Sequence, residues 1–136
     1  MNSDARPQHQ KEGPLPEDAL RGIEQFNQHH YYECHETLEI VWRGECGHTR
    51  ALLHAMIQVA AGLLHTERAN FKGAASLLKR GIGKLQALPR DYRGVDVDAL
   101  LADSQRAYAT VLSLGPMGIA KFPWEQAPEI RLGGQQ

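Results

Sequence analysis

Several things are scarce in this chain of 136 residues, and each scarcity narrows what it can be. It has two cysteines, Cys34 and Cys46, and no Cys-x-x-Cys spacing. A disulfide framework is therefore not expected, and two free thiols in a reducing cytoplasm are. No Lys/Arg block stands out and the net charge is −1. A partner bound by phosphate neutralisation would call for a basic stripe, so neither nucleic acid nor an anionic membrane is expected. No apolar run approaches the roughly 20 residues that span a bilayer. Met1 to Gly13 lacks the apolar stretch of a signal peptide. There is no Ser/His/Asp order, no phosphate-binding glycine loop, no dinucleotide fingerprint and no internal repeat. Strand-like alternation is also absent, which makes the fold class all-α.

What is present is 42% hydrophobic and 23% charged, ordinary for one globular domain able to bury a core. The expected organisation is a disordered leader over 1–13, a single helical bundle over 14–132 and a loose tail over 133–136. Pro16, Glu17 and Asp18 suit the opening of a first helix, which carries Leu20, Ile23 and Phe26 and breaks at Gln28-His29-His30. A second helix is predicted from about Tyr32 to Gly44. A third, from about Thr49 to Asn70, is apolar over most of its circumference and belongs in the middle of the bundle. A fourth covers about Lys72 to Leu88. Its glycines Gly73, Gly81 and Gly83 suggest close approach to a neighbour. A fifth is capped by Asp96 and stopped after Leu114 by Gly115-Pro116. Phe122, Trp124, Ile130 and Leu132 are too apolar for a free end, so an extended segment is expected across a compact bundle of about five helices.

The polar groups on these helices carry the functional question. An α-helix turns about 100° per residue, which puts Glu39 and Trp42 within about 40° of His35, on a face that also holds Tyr31 and Leu38. Glu36 lies at the edge of that face. On the third helix His54, Gln58 and His65 form a polar stripe with the small residues Ala61 and Gly62, running toward Arg68 and Asn70. The economical packing lays this stripe against the His35/Glu39 face, giving a buried polar pocket between helices two and three.

Three readings of that pocket stay open. In the first, His35, Glu39 and His65 bind a divalent metal such as zinc, manganese or iron, with one position open for water. Glu36 is then the general base, and Gln58 and Arg68 orient an oxyanion. In the second, the same residues form a metal-free acid/base pocket for a small anionic ligand. In the third, the network is architecture that fixes helix register, and the protein docks a partner or a second copy of itself. Apolar surface on helix four or five, or on the Trp124 segment, is then the interface. Trp42 reads as core, Asn70 as a cap between helices three and four, and Cys34 points away from the cluster.

Phe26-Asn27, Tyr31, Glu33, His35-Glu36, Leu38-Glu39 and Trp42-Arg43, followed by Ile57-Gln58, Ala60-Ala61, His65, Arg68, Asn70, Gly73-Ala74 and Leu77-Leu78, together resemble the small all-helical proteins of the domain of unknown function 309 family. The resemblance covers about half the chain. It implies a compact helical bundle, and some members are labelled predicted metal-dependent hydrolases on the strength of the His/Glu pattern. Two positions depart from the family pattern. His29 and Ala69 stand where glycine is usual, and the first of these implies a left-handed turn that His tolerates.

Overall fold

A computed structural model describes residues 13–133. The leader expected over 1–13 lies outside the described residues except for Gly13, as does the tail except for Gly133. Five helices dominate: α1 (Glu17–Asn27), α2 (Tyr31–Arg43), α3 (Gly47–Glu67), α4 (Phe71–Gln86) and α5 (Val97–Gly118). They pack in chain order, with α3 between α2 and α4, α1 against α2 and α5 against α4. The core follows from sequence period. Leu52, Leu53, Ala55, Met56, Val59, Ala60 and Leu63 of α3 are fully buried, which is what its nearly continuous apolar surface requires. Among the described residues no helix is long and apolar enough to cross a membrane.

The turns α1–α2 and α3–α4 share one geometry. After α1, His30 N–H reaches Gln25 O (2.9 Å) and His29 N–H reaches Phe26 O (3.0 Å). After α3, Asn70 N–H reaches His65 O (2.8 Å) and Ala69 N–H reaches Thr66 O (3.1 Å). These paired bonds close the helix ends through a left-handed residue. The residues in that position are His29 (φ 65) and Ala69 (φ 57), the two at which the resemblance noted above implies glycine. The turns therefore keep their course without glycine. Asn70 then caps α4, its Oδ1 accepting Gly73 N–H at 3.1 Å. This ends α3 at Glu67 and not at Asn70 as expected.

Three further features differ from expectation. A two-stranded hairpin, β1 (Asp91–Tyr92) with β2 (Val95–Asp96), precedes α5. Its strands are too short to show a period, and Arg93 and Gly94, both at positive φ, make its tight turn. The helix after Asp96 is interrupted at Gly115 (φ 70, ψ 179), but Pro116 opens another turn that runs on to Gly118. A Cβ at Gly81 would press on Val59 and the Ala55 carbonyl, whereas one at Gly83 would meet nothing within 4 Å. Only the first of these glycines serves helix contact.

The segment after α5 crosses the bundle, but it is extended only in part, because Ile119–Lys121 and Trp124–Gln126 form short 3-10 turns. Phe122 and Ile130 are buried, and Trp124 packs on Phe122 and Tyr31 with ring centroids 4.8 and 6.0 Å apart. Trp124 is thus half-buried and packed against the core. The large exposed apolar residues are Tyr32 and Ile40 on α2 and Leu112 and Met117 on α5.

Candidate functional site

On α2 the inward face runs through Tyr31, Cys34 and Leu38, all buried. His35 lies about 60° and Glu39 about 100° from Leu38 around the helix. Both therefore sit at the edge of the face, with side chains 36% and 37% exposed. The expected buried His/Glu pocket is in fact a half-open seam. His35 Nδ1 stands 3.8 Å from Glu39 Oε1, and the other carboxylate oxygen of Glu39 is 3.5 Å from Arg43. Glu36 is exposed. Cys34 is fully buried, which pushes its thiol up to about 12 and leaves it inert as a nucleophile.

The α3 stripe is half-buried at His54, Gln58, Ala61 and His65. Trp42 bridges the two helices: its ring is 5.2 Å from that of His54, and the Arg50 guanidinium lies 3.9 Å over it. Arg50 also donates to the carbonyls of Trp42 and Glu45, each at 3.3 Å. Trp42 thus has a packing role with a cationic cover. Burial holds the His54 imidazole below its ordinary value of 6.5, with Lys84 and Arg50 adding to the effect. Gln58 Oε1 is shielded and has no hydrogen-bond partner. Gly62 faces α4 and not α2: an added Cβ would come within 2.8 Å of Leu78 Cγ, so the small residue serves the α3–α4 contact.

His65 is committed elsewhere. Its ring lies over Gly73, where an added Cβ would come within 2.8 Å of Cγ. Asn70 Nδ2 is 3.0 Å from His65 Nδ1. The amide's orientation is set by its cap, because Oδ1 accepts from Gly73 N–H. Nδ2 can only donate, so Nδ1 must accept, and the neutral ring carries its proton on Nε2. With Nδ1 accepting and Nε2 protonated, neither ring nitrogen of this tautomer offers a free lone pair to a metal. Arg68 and Asn70 are exposed, and Arg68 closes α3 through its backbone N–H to Leu64 and His65.

These positions do not fit a three-ligand metal centre. Among the described residues no group of three or more His, Cys, Asp or Glu is placed to hold an ion. The structure brings His35 to Glu39, His54 to Trp42, and His65 to Asn70, as three separate local pairs.

Residues whose roles were not visible in the sequence include Arg50, Asn27 and Asp103. Asp103 is buried on α5 among Leu100, Ala107 and Val111. An acidic residue on an apolar helical stripe was its signal. It pairs with Arg106 and, at 3.3 Å, with Arg131.

No curated protein matches the chain. Residues 19–77, running from α1 into α4, match the family model described as Domain of unknown function (DUF309).

Proposed function

We propose that this domain is a non-catalytic helical interaction module whose His/Glu pattern is architectural. One observation carries the reading: His65 Nδ1 accepts from the Asn70 amide that caps α4. The imidazole joins the end of α3 to the start of α4 and is not presented to His35 and Glu39. The partner is another protein or a second copy of the chain. The net charge of −1 favours neither nucleic acid nor a membrane. Two free thiols, one of them exposed at Cys46, suit a reducing cytoplasm.

Metal-assisted hydrolysis, with Glu36 as base, is the competing reading. The observation in its favour is the half-exposed His35/Glu39 pair, four residues apart on α2. Elemental analysis of protein purified without chelator or affinity tag separates the two. The expected result is metal far below one equivalent, with no rise in melting temperature on adding zinc, manganese or iron. One equivalent of metal that raises the melting temperature, lost in His65→Ala, would overturn the proposal.

A further inference from the structure

The segment that crosses the bundle after α5 is held like a bound ligand. Asn27, the last residue of α1, donates from Nδ2 to Ile130 O at 2.9 Å and accepts Ile130 N–H on Oδ1 at 2.8 Å. A primary amide offers a donor and an acceptor side by side, so it reads one residue of extended backbone as a neighbouring strand would. Asp103 Oδ2 accepts Glu129 N–H at 3.4 Å and stands 3.3 Å from the Arg131 guanidinium. Asp96 N–H donates to Arg131 O at 2.9 Å, and Leu132 bridges antiparallel to Val95. Pro128 and Ile130 are buried, while Glu129 and Arg131 are exposed. The contacts therefore specify an extended backbone, an apolar side chain, and a cation immediately after it.

We infer that the site beneath residues 128–132 is a peptide-recognition groove filled in cis by the chain's own segment. An extended stretch of another protein, an apolar residue followed by Arg or Lys, takes that segment's place. A short 3-10 turn at Trp124–Gln126 precedes Pro128, which holds the residues after it extended, and the inference requires that release of residues 128–132 open a local patch and not the whole bundle. Asn27 is an exposed residue at the end of α1, so an incoming strand reaches the clamp once the segment leaves it. The inference rests on the interaction reading above and supplies its partner chemistry.

The test uses the full chain carrying Ile130→Ser and Arg131→Glu, which removes the apolar anchor and sets two carboxylates against each other at Asp103. A fluorescent peptide with the sequence of residues 126–133 is titrated by anisotropy. Expected is saturable binding at least tenfold tighter than to the unsubstituted chain, whose own segment competes. The same peptide carrying Arg131→Glu should bind at least tenfold more weakly, and adding Asn27→Ala to the protein should abolish binding. A variant that keeps its helical signal and cooperative melt yet binds nothing overturns the inference. So does equal affinity for the two peptides. A variant that does not fold overturns it as well, because the segment would then be an inseparable part of the core. Metal content is measured on the unsubstituted chain, so failure here and failure of the architectural reading are distinguishable.

Discussion

Ala69 holds a left-handed conformation with φ 57, which costs an L-residue with a Cβ roughly 1 kcal/mol relative to glycine. Ala69→Gly is therefore expected to stabilise the domain by about 1 kcal/mol at most, part of the gain being lost to a more flexible unfolded chain. Urea melts check this, and an unchanged midpoint would mean that the turn stores no such strain. His29→Gly should gain less, because the His29 ring stacks on Tyr31 at 5.5 Å and that contact would go. A second expectation concerns His54. Its folded value lies below the ordinary 6.5, so between the two the unfolded chain binds more protons than the folded one. Stability should fall as pH drops through about 6.5 and level off beneath the folded value. His54→Gln should flatten that part of the profile, as read from urea melts between pH 5 and 8. Identical slopes for the two proteins would contradict the environment described for His54. At this scale the sequence was informative where one residue answers a local need, as with Asn70 and Asp96, both of which cap helices through a side-chain oxygen. It was misleading for His35 and Glu39, because the angular offset that separates an inward residue from an edge residue is about half a helical face.

Among the elements, the four-residue period made all five helices legible, since each has an apolar stripe to bury. The hairpin was not, because two residues per strand carry no alternation and its pairing depends on Arg93 reaching back to Gly13, Pro14 and Thr49. The glycines of α4 show why spacing alone does not reveal function. Gly81 lies with an added Cβ 2.7 Å from Val59 Cγ2 and 3.2 Å from backbone atoms of α3, whereas Gly83 faces open space. Gly81→Ala should therefore destabilise by about 1–3 kcal/mol through overpacking. Gly83→Ala should stabilise by up to about 1 kcal/mol through helix propensity. Thermal melts of the two variants test the α3–α4 packing directly, and equal shifts of the same sign would refute it.

Across the whole molecule, the layout was readable in the order of helices but not in the contacts that tie distant parts together. Asn27 and Ile130 are 103 positions apart, and nothing local in either residue announces the other. The same is true of the candidate site. The residue types for a metal centre were present, and helix geometry allowed them to converge. Among the described residues no three of them gather to hold an ion, and at the turn after α3 the Asn70 amide that caps α4 also engages His65. The account of this domain as an interaction module depends on that imidazole. The most direct test is the ring tautomer of His65 from long-range proton–nitrogen NMR, with and without one equivalent of zinc. The prediction is a neutral ring protonated on Nε2, with Nδ1 as acceptor, unmoved by zinc. A ring protonated on Nδ1 whose Nε2 resonance shifts together with that of His35 at one equivalent would contradict it.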